Sequence, residues 1–212
     1  MILALDTTSE YGSLALVDRD RTLDETPLHA PEGFGPVLYP TLAELLSRNG
    51  VNVNAIECFA AASGPGSFTG VRIGLAAIKG LAEAAGKPAM GVSNLRALAW
   101  FGTRPLRATA LDARRGEVYG AVYNDKLEIV RAETVMPFPD WLRTLPSGDI
   151  ELITTNATQL DAGIPSITAP RALAAAIGRI ACIGFLAGEA CDPAALDANY
   201  IRRSDAEILW KG

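Results

Sequence analysis

The chain has 212 residues, an apolar fraction of 49%, a formal net charge of −5 and a pI near 5.0. This length and apolar content suit one large or two small domains. Neutralising nucleic-acid phosphates requires a basic surface, so strong direct nucleic-acid binding by this chain alone is not expected. The three cysteines have no CxxC spacing and indicate thiols in a reducing compartment.

The first residues, MILALDTTSE, carry no basic segment and turn polar after the fifth position. That pattern does not fit a secretory signal peptide. No apolar run reaches the roughly 18 residues that a membrane span needs. The sequence therefore predicts a cytoplasmic protein that contacts no membrane.

The first half of the chain predicts an α/β unit that opens with a β-hairpin. Two short apolar runs flank a polar turn that begins at Asp6, which is the pattern of a hairpin. The only histidine, His29, falls in a proline-containing stretch. The predicted elements are strands at 2–5, 13–17, 56–62 and 90–92, at most an edge strand within 18–35, and helices at 36–49, 69–85 and 94–101.

The most informative segment of this half is a glycine-rich loop followed by a long predicted helix, residues 63–86, SGPGSFTGVRIGLAAIKGLAEAAG. Thr69 is the predicted N-cap of its helix and Gly86 the predicted stop. One helix face carries the larger apolar side chains. A second apolar face, here called the small-residue face, consists of Ile73, Ala76, Ala77, Gly80 and Ala84.

A helix that packs on one side only should be polar over most of its other side, and this helix is not. Two interpretations stay open. The helix is either enclosed within its own domain, or it binds another protein through the small-residue face. In the second case Val37 and Thr41 on the preceding helix are expected to complete the surface, because a contiguous exposed apolar patch marks an interaction site.

The second half repeats the start of the first. The sequence Ala-Leu-Asp ends a predicted strand at Asp6 and again at Asp112, and each time a polar turn and a second strand follow. We therefore predict two similar α/β lobes, residues 1–104 and 105–212, with a C-terminal segment able to pack back on the first. The further predicted elements are strands at 127–131 and 150–154, helices at 139–145 and 170–188, and an extended tail at 198–203.

Two α/β halves that each open with an aspartate-tipped hairpin form the layout of the actin-like ATPase fold, in which such turns cradle nucleotide phosphates. The candidates for an anion or nucleotide vicinity are Asp6, Thr7, Gly64, Gly66, Ser67 and Asp112. The alternatives are structural: Asp6 caps its own turn, and the glycine-rich loop makes a tight connection from strand to helix. The turn DTTS lacks a glycine, and the loop GPGSFTG is not followed by the lysine of a P-loop.

The sequence contains few of the motifs that a hydrolase needs. A catalytic triad or a Cys–His pair would require His29, and no HExxH motif or histidine pair exists to hold zinc. Ser67 does not lie in a G-x-S-x-G nucleophile elbow. We therefore predict no catalytic residue and no bound metal.

The chain resembles the TsaB (YeaZ) family of bacterial tRNA threonylcarbamoyladenosine proteins. The resemblance lies in the blocks ILALDTTSE, GPGSFTGVRIG, GVSNLRALA, LDARRGEVYGAVY and ANYIRRSDA, which span nearly the whole chain. It implies an actin-like (ASKHA) fold and a non-catalytic paralogue of TsaD. The helix that corresponds to the metal-binding HxxxH helix of TsaD, PEGFGPVLYPTLAELL, contains no histidine.

The resemblance also implies a scaffold that binds TsaD through its first two helices, recruits the ATPase TsaE and forms a homodimer when alone. No cofactor is expected to bind tightly, and ATP or ADP only at the interface of the complex. The rival class is an enzyme, either an actin-like ATP-binding kinase or a peptidase of the glycoprotease type.

Overall fold

The structure is a computed structural model that describes residues 1–156, 160 and 162–202. It divides into two compact units. The first contains residues 1–97 and 171–198, and the second contains residues 98–170 and the described residues from 199 onward. None of the helices among the described residues is long and apolar enough to cross a membrane.

The first unit is a five-stranded mixed sheet with helices on both faces. Its strands are β1 (Ile2–Asp6), β2 (Tyr11–Asp18), β3 (Arg21–His29), β4 (Cys58–Gly64) and β5 (Ala89–Ser93). Its helices are α1 (Gly35–Arg48), α2 (Phe68–Ala85), α3 (Asn94–Ala99), which ends beyond the unit boundary, and α5 (Ala174–Leu186). The strand order is β3-β2-β1-β4-β5, with β1 antiparallel to β2 and parallel to β4.

The central strand β1 is buried along its whole length, because helices cover both faces of the sheet. Leu3 and Leu5 belong to the core cluster that α1 and α2 share. Ala4 points to the other face, where a Cβ on Gly178 of α5 would lie 3.2 Å from it. A continuous apolar run is what a strand covered on both faces requires.

Helix α5 belongs to the first unit although it follows most of the second unit in sequence. Two side chains from the first sheet bind its N-terminal amides: Ser13 Oγ accepts from the amide of Ala174 at 2.9 Å, and Glu25 Oε1 accepts from that of Ala175 at 2.9 Å. Amides in the first turn of a helix have no partner within the helix, so these contacts bind α5 to the sheet. The sequence analysis assigned residues 105–212 to the second lobe and allowed a C-terminal segment to pack back on the first. In the structure, residues 171–198 belong to the first unit.

The unit boundary also lies before Leu98 rather than after residue 104. The loop at 102–105 was the predicted boundary. Its backbone is instead held by the buried carboxylate of Glu151, which accepts hydrogen bonds from the amides of Thr103 and Arg104. A polar, glycine-containing loop predicts a boundary only when nothing anchors it, and a carboxylate distant in sequence anchors this one.

The second unit repeats the strand order of the first. Its elements are β6 (Leu106–Asp112), β7 (Glu117–Asn124), β8 (Ile129–Pro137), α4 (Phe138–Arg143), β9 (Ile150–Thr154) and β10 (Ser166–Thr168). The order β8-β7-β6-β9-β10 corresponds strand by strand to that of the first sheet. Asp6 and Asp112 both end the first strand of their sheet, in agreement with the predicted duplication.

Several predicted boundaries shift. The N-cap of α2 is Ser67, not Thr69: the Ser67 hydroxyl accepts from the amide of Gly70, so the helix begins earlier. Gly86 is the stop, in the left-handed conformation. Strand β8 overlaps the predicted 127–131 strand but begins two residues later, at Ile129, and extends to Pro137. Helix α5 is shorter at both ends than the predicted 170–188 helix, and β10 had no prediction. Residue 203 of the predicted tail lies outside the described residues.

Candidate protein-binding surface and the first hairpin turn

The turn between β1 and β2 is held by a network of hydrogen bonds among buried side chains. Asp6 is 2% exposed, and its Oδ1 accepts from the amide of Thr8 at 2.8 Å and from the Thr8 hydroxyl at 2.7 Å. Asn94 Nδ2 donates to Thr8 Oγ1 at 2.8 Å and approaches Asp6 Oδ2 at 3.5 Å. The carboxylate therefore caps its own turn, which is the structural alternative that the sequence left open.

The glycine-rich loop and the start of α2 lie directly on this turn. The amide of Ser67 donates to the carbonyl of Thr8 at 2.7 Å, and the hydroxyl of Thr7 donates to the carbonyl of Gly70 at 2.8 Å. A Cβ on Gly70 would lie 2.0 Å from the carbonyl oxygen of Thr7, and one on Gly74 would lie 2.5 Å from its hydroxyl. The glycines of this motif therefore allow a helix to contact the hairpin backbone to backbone.

Amides of the loop that were candidates for an anion have partners within the protein. The amide of Gly64 donates to Asn94 Oδ1 at 3.1 Å, and that of Ser67 is bound by Thr8 as described. Gly66 is pressed against Thr8, since a Cβ there would lie 2.6 Å from the Thr8 carbonyl oxygen. These contacts give the glycine-rich loop a structural role, the tight connection from strand to helix that the sequence left open as the alternative.

Two further residues that the sequence singled out make contacts within their own units. Asp112 is exposed, and its Oδ1 accepts from the amide of Arg114 at 2.7 Å, so it caps its turn as Asp6 does. His29 ends β3 and stacks on the ring of Tyr11, with centroids 4.6 Å apart. In the part of the chain that the structure describes, no three His, Cys, Asp or Glu side chains are arranged to hold a metal ion.

Burial raises the pKa of Asp6 above its ordinary value of 3.8, against the hydrogen bonds from Thr8 and Asn94 that lower it. The carboxyl group of Asp6 therefore stays protonated in the native state at pH values where it is already ionised in the unfolded chain. The contribution of Asp6 to stability is therefore fully present below pH 3.8 and is lost as pH rises through the folded-state pKa.

The direction of this pH dependence predicts how the stability of an Asp6→Asn variant changes with pH. Relative to the wild type, the free energy of unfolding of the variant should rise as pH increases from about 4 to about 8, because asparagine has no charge to desolvate. Urea unfolding at several pH values measures the difference. Asp24→Asn is the matched control, because Arg48 and Asn49 lower the pKa of Asp24 through hydrogen bonds. Both states have then lost the Asp24 proton above about pH 5, so the difference between this variant and the wild type should stay constant up to about pH 8. The stability that Asp24 contributes is lost only at lower pH, as pH falls through its folded-state pKa. Parallel pH profiles for Asp6→Asn and the wild type would contradict the prediction.

The small-residue face is exposed in its central part. Ala76, Gly80 and Ala84 are exposed on α2, and Ile73 is half-buried. Ala77 differs from the prediction: it is 6% exposed and belongs to the core. It lies one and two turns beyond Gly74 and Gly70, whose close approach to Thr7 brings this edge of the helix onto the core.

Two aromatic side chains that the sequence interpretation missed are exposed on the same pair of helices. Tyr39 on α1 is 56% exposed and Phe68 at the start of α2 is 39% exposed. The Arg72 guanidinium lies over the Phe68 ring at 3.6 Å from its centroid. Val37 and Thr41 on α1 are half-buried. Tyrosine, phenylalanine and arginine are enriched at protein interfaces, and aromatic residues beside an apolar helix pattern were the available signal.

Comparison with known proteins agrees with this architecture. The family model for TsaD, a tRNA N6-adenosine threonylcarbamoyltransferase, matches residues 26–179. The tRNA threonylcarbamoyladenosine biosynthesis protein TsaB of Escherichia coli is 40% identical over 126 residues, 58% of this chain and 54% of that protein. TsaB of Bacillus subtilis is 30% identical over 222 residues, 99% of this chain and 97% of that protein.

The match thus spans about half the length of the Escherichia coli relative and nearly all of the Bacillus subtilis one. The structure of YeaZ from Pseudomonas aeruginosa superimposes with a TM-score of 0.80 at 28% identity, covering 94% of this chain and 98% of that one. The two mixed sheets and these neighbours confirm the predicted actin-like fold. The chain belongs to the TsaB (YeaZ) family, within the wider family that the TsaD model describes.

Proposed function

We propose that this chain is a non-catalytic scaffold of the bacterial tRNA threonylcarbamoyladenosine synthase, and that it acts in the cytoplasm. It binds and supports the transferase TsaD and recruits the ATPase TsaE for modification of the adenosine next to the tRNA anticodon. The relatives carry the names TsaB and TsaD, which supports the pathway. The observation that carries the scaffold role is the exposed apolar surface of α1 and α2.

That surface has the composition of a protein interface. Small residues at Ala76, Gly80 and Ala84 let another helix approach closely, and the exposed rings of Tyr39 on α1 and Phe68 on α2 offer large contact area. A homodimer of the free chain and a heterodimer with TsaD would use the same surface. The two associations then exclude each other, so homodimerisation and TsaD binding compete.

The absence of catalysis is part of the proposal and is supported by the first hairpin turn. The Asp6 carboxylate, which would be the candidate metal or phosphate ligand, is buried and hydrogen-bonded to Thr8 and Asn94. We propose that no cofactor binds the isolated chain tightly and that ATP or ADP acts only at the interface of the complex.

Reconstitution tests this function directly. We expect unmodified tRNA to acquire threonylcarbamoyladenosine when TsaD, TsaE, the threonylcarbamoyl donor and this chain are all present, and to acquire little when this chain is omitted. Liquid chromatography of tRNA nucleosides measures the product. Equal modification without the chain would contradict the scaffold role. Peptide hydrolysis or ATP phosphotransfer by the pure chain, lost on chelation, would favour the enzyme alternative.

A further inference from the structure

The turn between β6 and β7 holds two arginines in a conformation that arginine rarely adopts. Arg114, Arg115 and Gly116 have φ values of 67°, 57° and 76°. The amide of Glu117 donates to the carbonyl of Arg114 at 3.0 Å, so Arg115 and Gly116 are the central residues of a tight hairpin turn with positive φ, as in type I′ turns. Such positions favour glycine, asparagine and aspartate.

The turn is also braced from outside. Asp112 accepts from the amide of Arg114, and the amide of Phe138 donates to the carbonyl of Gly116 at 3.1 Å. Arg202 donates to the carbonyl of Ala113 at 2.8 Å and forms an ion pair with Glu117. These contacts hold the backbone of the turn in place.

Arg114 and Arg115 are exposed at the tip of this braced turn. Strained backbone conformations persist where the surrounding structure holds them, as the contacts of this turn do, and they cluster at functional sites. Guanidinium groups bind phosphate and carboxylate through two parallel hydrogen bonds. The turn therefore presents two anion-binding side chains from a rigid support.

We propose that Arg114 and Arg115 contact backbone phosphates of the substrate tRNA while the chain is part of the modifying assembly. This inference rests on the function proposed above, which supplies an RNA substrate. The isolated chain is acidic, with a net charge of −5, so two contacts do not give strong RNA binding by themselves. They add to the RNA affinity of the assembly and orient this chain against the tRNA.

The test is the salt dependence of tRNA binding by the reconstituted assembly, measured with Arg114→Asn/Arg115→Asn. Asparagine tolerates positive φ better than arginine, so the variant should fold at least as well as the wild type. Each lost phosphate contact lowers the slope of log Kd against log salt by about 0.7 to 0.9. We expect the slope to fall by about 1.5 and the affinity at low salt to fall about tenfold.

Arg19→Asn/Arg21→Asn is the matched control. Arg19 is also exposed with positive φ, 50°, in the turn between β2 and β3, so this variant removes the same number of charges from a similar turn elsewhere. It should leave the slope unchanged, and Arg114→Lys/Arg115→Lys should retain most of it. If Arg114→Asn/Arg115→Asn leaves the slope unchanged, the proposal is overturned. It is also overturned if Arg19→Asn/Arg21→Asn lowers the slope by the same amount.

A loss of TsaD or TsaE binding by the Asn variant with the tRNA slope intact also overturns the proposal, because it would assign the arginines to an acidic protein partner. Failure of the proposed function looks different. In that case the wild-type chain would not bind TsaD, or its omission would not affect modification.

Discussion

Replacing Gly80 by glutamate is expected to abolish association with TsaD and self-association while leaving the fold intact. A Cβ on Gly80 meets no atom within 4 Å, so the side chain fits on the surface of α2. Glutamate is also the better helix former by roughly 0.5–1 kcal/mol. In an interface the carboxylate would be desolvated without a partner, which costs several kcal/mol. We expect the Kd to rise at least about 100-fold.

Light scattering, thermal unfolding and calorimetric titration with TsaD measure the three parts of this prediction. Gly80→Ala is the matched control, because it adds one methyl group and no charge and should retain binding. If Gly80→Glu associates as the wild type does, the small-residue face is not the interface. If it unfolds, the face is part of a core.

Replacing Gly70 by alanine is expected to destabilise the first unit strongly. A Cβ at this position would lie 2.0 Å from the carbonyl oxygen of Thr7, and that atom belongs to the backbone of a buried turn. Either α2 or the hairpin must move, and the network around Asp6 moves with it. Overpacking of this kind typically costs about 1–3 kcal/mol, and a clash with backbone should lie at or above the upper end.

The same substitution at Gly80 serves as the control for helix propensity. Gly80→Ala should stabilise α2 by about 0.5–1 kcal/mol, because alanine loses less backbone entropy on folding. Urea unfolding of the two variants should therefore give changes of opposite sign. A Gly70→Ala variant as stable as the wild type would contradict the close contact between α2 and the first turn.

Much of the fold could be predicted from the sequence because the signals were local or repeated. The strand at 150–154 and the stop of α2 at Gly86 match the structure, since each depends on nearby residues. The repeated Ala-Leu-Asp indicated two units with the same strand order, which the two sheets have. The family also followed from uninterrupted sequence blocks.

The surface of α2 could be predicted only in part. Periodicity places Ala77 beside Gly80 and Ala84, but it does not say how wide the buried arc is. That width depends on how closely α2 approaches the hairpin, which Gly70 and Gly74 decide through contacts with Thr7. Tyr39 and Phe68 were missed because exposure of an aromatic residue is a property of the packed unit.

The sequence by itself determined the fold class, the family, the two-unit duplication and a helix apolar on two sides. Only the tertiary structure decided that the aspartate of the first turn is enclosed, that α5 belongs to the first unit and that the predicted boundary loop is anchored to the second. Each of these depends on contacts such as Asp6 with Asn94, Ser13 with Ala174, and Glu151 with Thr103. Their partners lie 48 to 161 residues apart in the chain, and a local pattern carries no information about such pairs.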